Sequence, residues 1–360
     1  MANVNTAMIK ELRELTGAGI LACKNALVET DGDMDAAVEI LRKKGEAQAV
    51  KKASRIAAEG IVKVVVKDGT AVMVEVNSET DFVAKNEKFQ TFVDDVVASI
   101  LASDAADVDA LMNEKFAGDA EKTVNEALVS IIATIGEKIT IRRFAKVATD
   151  GVIVPYIHGA GRIGVLVETN AVDGAEEAAK NIAMQIAAMN PQYIGRSDMS
   201  DDEVVKLREI TVDSALNTPE SLPVPILKEL LAKAAASGKF SAEDAAAYEE
   251  QKDNHKYIFN FLSAEAKAIV AGFAMEDKDN IAGNKIFNGL VEGRVSKQLK
   301  EICLMDQTYV KAEDGKQSVA QYLKSVNADL AIKQFIRFEV GEGMEKRQEN
   351  FAEEVAKQMQ

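Results

Sequence analysis

Ile61 to Asn77 reads IVKVVVKDGTAVMVEVN, and its reading decides the fold. Two runs rich in β-branched residues flank Lys67-Asp68-Gly69, and Asp-Gly between such runs is a strong hairpin signal. Outward on the C-terminal side comes TDFVAKN, Thr80 to Asn86, and then EKFQTFVDDVVASIL, Glu87 to Leu101. There Phe89, Val93, Val96, Val97 and Ile100 recur at helical spacing. One or two more helices are expected over about 107–136, and KITIRRFAKV, Lys138 to Val147, reads as a strand.

The order β-β-α-α-β then starts again. GVIVPYIHGAGRIGVLVETN, Gly151 to Asn170, is a second hairpin, and its VLVETN echoes VMVEVN of Val72 to Asn77. EEAAKNIAMQIAAM, Glu176 to Met189, takes the place of the first long helix, and QFIRFEV, Gln334 to Val340, echoes TIRRFAKV. The expected class is therefore α+β, with a core duplicated at an interval of roughly 90 residues and built on antiparallel sheets. Its N-subdomain spans residues 56–148 and its C-subdomain 149–340.

Ahead of this core, residues 1–55 read as three short helices. NTAMIKELRELTG places Met8, Leu12 and Leu15 on one face and stops at Gly17. ILACKNALVETDGD runs to Gly32, and MDAAVEILRKKG is read as stopping at Gly45, with AQAVKKASRIAAEG as a linker helix. Within the C-subdomain, about 205–300 is an inserted, mainly helical arm. Pro223 and Pro225 precede ILKELLAKAAASG, and Ser241 with Asp244 starts another helix. The Ala- and Leu-rich faces suit a projecting helical hairpin or a homodimer contact. GEGMEKRQENFAEEVAKQMQ, residues 341–360, closes the chain as a helix with Met344, Phe351 and Val355 near one face.

Composition narrows the classes of function. The 360 residues are 47% hydrophobic and carry a net charge of −15, which fits a folded chain and argues against nucleic acid as a partner. The basic stretch Arg42 to Arg55 is interleaved with Ala and Glu46 and reads as a solvated helix face. Two cysteines and two histidines, Cys23, Cys303, His158 and His255, leave no disulfide framework and no Cys/His metal cluster to expect. MANVNTAMIKEL has charge where a signal peptide would be apolar, and no run is long enough to span a membrane. A cytoplasmic protein is the expectation.

GAGRIG, Gly159 to Gly164, matches the spacing of a dinucleotide-binding loop. That loop must open a helix, whereas here RIGVLVE continues as a strand, so the glycines serve a hairpin turn. Neither a phosphate-binding lysine loop, a zinc-protease helix nor a serine-hydrolase elbow is present, and no cofactor is expected. Cys23 reads as core, and His158 as a hairpin-tip residue that is either an ordinary turn residue or a partner contact. TDFVAKN has two readings. Phe82 folds into the core while Asp81 caps the Glu87 helix, or Asp81-Phe82 protrudes as an apolar anchor beside a charge.

LRELTGAGILACKNAL, Leu12 to Leu27, and EVNSETDFVAK, Glu75 to Lys85, resemble the two signature motifs of the elongation factor Ts family. YIHGAGRIGVLVE and FIRFEVGEG resemble it too, and the likeness covers most of the chain apart from about 217–280, which is longer than the family's short coiled-coil module. The resemblance implies an N-terminal module similar to a ubiquitin-associated domain, a duplicated α+β core with an inserted arm, and a C-terminal helical module. It implies a guanine-nucleotide exchange factor that releases GDP from elongation factor Tu without covalent chemistry. Asp81 and Phe82, framed by Thr80 and Val83, then enter between two helices of the partner's GTPase domain, displace helix B and disturb the Mg²⁺ site. Arg13, Ile20 and Leu21 match positions that touch that domain, though the family often has Met at the latter two and Asp where Ala22 stands. His158 matches a histidine that faces the partner's other domains, and the segment around Met344 to Phe351 is expected to dock on the GTPase domain. Two other readings compete: an adaptor that binds ubiquitin-like folds through residues 1–55, and an enzyme that uses the glycine-rich hairpin.

Overall fold

The computed structural model describes residues 4–255 and 257–345. It divides into two units, one made of residues up to Asn190 with those from Gln321 onward, the other of Pro191–Ala320.

The first unit opens with α1 (Thr6–Thr16), α2 (Ile20–Glu29) and α3 (Met34–Lys52). Leu12, Cys23, Ala26, Leu27 and Ala37 form their small core, and Gly17 ends α1 in the left-handed region. β1 (Glu59–Lys67) and β2 (Thr70–Ser78) follow as an antiparallel hairpin. Its turn is Asp68-Gly69, with φ of 50° and 73°, the two positive angles that a two-residue hairpin loop requires. The chain then passes through α4 (Asp81–Ala84), α5 (Glu87–Ala102), α6 (Val108–Leu111), a small hairpin of β3 (Lys115–Phe116) and β4 (Asp119–Thr123), and α7 (Val124–Ile135). β5 (Ile139–Ala148) completes a sheet of order β1-β2-β5. Valines of β2 and the apolar stripe of α5 share one core with Leu128 and Ile132 of α7.

β6 (Val152–His158), β7 (Ile163–Thr169) and α8 (Ala175–Met189) begin the second half. The inserted unit then carries α9 (Asp201–Leu216), α10 (Val224–Ala236), α11 (Ala242–Gln251), α12 (Ala264–Glu276), α13 (Lys278–Gly283) and α14 (Lys285–Ile302). α15 (Val319–Val326) and β8 (Ile332–Glu339) follow, and β8 completes a second sheet of order β6-β7-β8. The two central strands match in detail. Glu75 in β2 and Glu168 in β7 are both buried, and the ladder to the closing strand shifts register just after each. Each bulge leaves one extra cation on the closing strand, Arg142 in β5 and Lys333 in β8. Arg142 lies 2.9 Å from Glu75, and Lys333 lies 3.7 Å from Glu168.

The sheets meet through Val62, Met73, Leu166 and Phe338. Gly164, last residue of GAGRIG, is needed for this approach: a Cβ there would stand 2.4 Å from Val62 Cγ1. That loop joins β6 to β7, so it opens no helix.

Several sequence expectations need correction. α3 does not stop at Gly45 but runs to Lys52, so the expected linker helix over 47–60 is the end of α3, followed by turn and coil that lead into β1 at Glu59. Gly45 is buried against α7, where a Cβ would meet Val129 Cγ1 at 3.3 Å, so the residue serves helix packing. Leu15 does not share the bundle core. It is 56% exposed, while Ile9 packs beside Met8. Leu15 instead lines a groove of about 300 Å³ between the bundle and α7, together with Val38, Leu41 and Ala133. The small β3-β4 hairpin lies within 107–136, where helices alone were expected.

The insertion is not a pair of long helices. Its Ala- and Leu-rich faces close on one another in a core that includes Leu216, Leu227, Leu230, Val270 and Phe287. The helix expected from Ser241 onward breaks after Gln251 and restarts at Ala264. Asp244 ties the two pieces, accepting the Ser263 N–H at 2.7 Å. Of the closing helix, Gly341 to Met344 is turn and bend and Glu345 is irregular, while Phe351 and Val355 lie outside the described residues. Among the described residues no helix is long and apolar enough to cross a membrane.

Candidate functional site

β2 leads through Glu79 and Thr80 into α4, a single turn. Thr80 caps that turn, its hydroxyl accepting the Val83 N–H at 3.4 Å. The same hydroxyl donates to Glu137 Oε1 at 2.8 Å, and the Thr80 N–H donates to Glu137 Oε2 at 3.0 Å. Glu79 answers from the other side: its Oε1 accepts the Lys138 N–H at 2.6 Å and faces Arg55 at 3.2 Å. Two glutamates thus cross-brace the loop before α4 and the loop before β5. Beyond the turn, the Asn86 side chain caps α5, accepting the Lys88 N–H at 2.9 Å. Asp81 therefore does not cap that helix.

Within this frame Val83 and Ala84 are buried, and Phe82 is 78% exposed. The ring thus lies largely in water on a turn held from both sides, with Lys85 Nζ 5.9 Å from its centroid. Asp81 beside it pairs with Lys85 Nζ at 2.7 Å, and that ammonium holds the carboxyl below its ordinary value. Of the four residues expected at this site, Asp81 and Phe82 face outward. Thr80 is half-buried on Glu137, and Val83 faces the core, so these two hold the turn.

Arg13, Ile20 and Leu21 gather at the corner between α1 and α2. Arg13 is exposed in the last turn of α1, and Ile20 and Leu21 are 58% and 69% exposed at the start of α2. The corner rests on α7, where Thr134 Oγ1 donates to the Gly17 carbonyl at 3.4 Å. α7 ends at Gly136, and the next residues are Glu137 and Lys138. Lys138 Nζ in turn donates to the Ala53 and Arg55 carbonyls at 2.7 and 2.8 Å, just past α3. One helix and the loop after it therefore connect the exposed corner to the exposed ring.

His158 stands apart at the end of β6. It is exposed, with Nδ1 3.2 Å from the Tyr156 hydroxyl. Cys23 and Cys303 are buried free thiols. Among the described residues no group of three or more His, Cys, Asp or Glu is placed to hold a metal ion. Sequence reasoning did not find Glu79 and Glu137. They stand 58 positions apart and carry no local motif, so only the fold brings each to the other's loop.

A family model described as Elongation factor TS matches residues 79–342. Over 366 aligned residues the chain is 42% identical to "Elongation factor Ts" of Clostridioides difficile (strain 630), covering 100% of each. It is 41% identical to the protein of the same name from Clostridium novyi (strain NT), covering 99% of each. The protein of that name from Clostridium botulinum (strain Eklund 17B / Type B) is 40% identical, again over 99% of each.

Proposed function

The chain belongs to the elongation factor Ts family, and we propose on that premise that it is a guanine-nucleotide exchange factor acting on elongation factor Tu-GDP in translation elongation. The observation that carries the reading is the exposed Phe82 beside Asp81 on a turn whose capping residue is hydrogen-bonded to Glu137. Burying such a ring in a partner gains about 1.5–3 kcal/mol, and a preformed turn adds little ordering cost. Asp81 and Phe82 enter between two helices of the GTPase domain and displace helix B, with Thr80 and Val83 setting their orientation. Arg13, Ile20 and Leu21 dock on the same domain, and His158 meets the partner's other domains. Mg²⁺ in the partner bridges the nucleotide phosphates to protein, so disturbing it weakens GDP and lets GTP load. No bond is made or broken by this chain. Linkage requires that GDP weaken binding of this protein by the same factor that this protein weakens GDP.

The test is release of a fluorescent GDP from elongation factor Tu with the wild type and with Asp81→Ala/Phe82→Ala. Strong acceleration by the wild type, lost in a folded double variant, is the expected result. Acceleration that survives would move the mechanism to other contacts, His158 first, and no acceleration by the wild type would sink the exchange reading.

A further inference from the structure

We infer that Glu137 is a positioning residue for nucleotide exchange: it holds Thr80 so that the α4 turn presents Phe82 in the orientation that insertion needs. The inference rests on the exchange reading above. A four-residue helix does not hold itself, since the first hydrogen-bonded turn costs more conformational entropy than its bond returns. Something outside it must fix its start. Both carboxylate oxygens of Glu137 are spent on one residue, the Thr80 N–H at 3.0 Å and the Thr80 hydroxyl at 2.8 Å. That residue is the cap of the turn, so its orientation sets the direction of the ring two positions on. The buried Val83 and Ala84 keep the segment against the core, and Ser78 Oγ donates to the Thr80 carbonyl at 2.9 Å and Gln90 Nε2 to the Ala84 carbonyl at 3.3 Å, but only Glu137 bonds both the N–H and the hydroxyl of the capping residue. The loop that supplies Glu137 also supplies Lys138, which grips the carbonyls after α3. One loop therefore sets the ring and ties down the end of the helical bundle that carries Ile20 and Leu21.

The experiment is a double-mutant cycle on fluorescent GDP release from elongation factor Tu, using wild type, Glu137→Ala, Phe82→Ala and the double variant. Glu137→Ala should slow release by about tenfold to a hundredfold, the upper figure being the scale of a 1 Å misplacement. Adding it to Phe82→Ala should slow release no further, because a positioning residue has nothing left to position. A merely structural residue gives losses that multiply, and that result, or wild-type exchange by Glu137→Ala, overturns the inference. Should Glu137→Ala prove poorly folded, Thr80→Val, which removes the hydroxyl's bond to Glu137 together with its cap on the Val83 N–H, enters the same cycle, with Thr80→Ser, which keeps both, expected to exchange like the wild type. If Phe82→Ala itself exchanges like the wild type, the wedge reading fails and this inference with it. If Phe82→Ala is slow while the Glu137 loss multiplies, only the inference fails.

Discussion

Phe82 and Phe89 are the same residue type, seven positions apart, and the fold treats them oppositely: one is 78% exposed, the other fully buried under β2. Phe89→Ala should therefore cost about 3–5 kcal/mol, through lost transfer energy and the cavity left behind. Phe82→Ala should fall within about 0.5 kcal/mol of wild type in denaturant unfolding, as surface changes do. A large loss from Phe82→Ala would mean that the ring has a partner inside this chain. The buried glutamates make a second residue-scale case. Burial by itself pushes the Glu75 carboxyl up. The Gly341 N–H, Arg142, Asn77 and Arg143 together outweigh that effect and hold it below 4.5. At Glu168 burial is likewise opposed and outweighed, by Thr149, Gln334 and Lys333. A depressed carboxyl stabilises the fold above its unfolded value, and that stability is lost as pH falls through the folded value. The midpoint of thermal unfolding should thus fall as the pH drops below about 4.5, the ordinary carboxyl value. Glu75→Gln should cost about 2–4 kcal/mol at pH 7, less than a fully buried pair because the arginines are part-exposed, and the gap from wild type should shrink in acid. A gap that stays constant down to pH 3 would rule out the charge as its source.

At the scale of elements, local chemistry made the hairpins legible. Asp68-Gly69 dictates its own turn, and VMVEVN and VLVETN announce two equivalent central strands whatever surrounds them. The protruding Phe82 was legible as one of two readings, because an apolar residue in a polar loop demands an explanation. What failed to read were features decided by a distant neighbour. Gly45 has the sequence character of a helix stop, and only α7 lying against it makes it a packing position. Thr80 gives no sign of Glu137, nor Glu75 of the Gly341 N–H 2.9 Å away. Leu15 was placed by periodicity alone, which knows the face of a helix but not how far its cover extends. Gly164 gives this scale its test, since an added Cβ has no room beside Val62. Gly164→Ala should destabilise by about 1–3 kcal/mol through overpacking between the sheets. Val62→Ala added to it should recover part of that loss, although alone it removes buried surface. Strictly additive losses would show that the strain lies elsewhere than at this contact.

The whole molecule carries separate hydrophobic cores in its two units. Val72, Phe89 and Leu128 belong to the first unit, and Leu216, Leu230 and Phe287 to the inserted helices. The shared core of the inserted helices was not legible, because an Ala- and Leu-rich helix face looks the same in sequence whether a second chain or its own neighbours cover it. Here α9, α10, α12 and α14 bury those faces among themselves. Every residue proposed to meet elongation factor Tu lies outside Pro191–Ala320. Leu230→Ala should cost the inserted unit about 2–5 kcal/mol, as truncations in a packed core do. In calorimetry it should lower one transition and leave the other in place. GDP release measured well below both midpoints should keep its wild-type rate. If both transitions move together, the units melt as one cooperative body. If exchange falls while the first unit stays folded, the inserted helices take part in the partner contact, which would then extend beyond Phe82, the α1–α2 corner and His158.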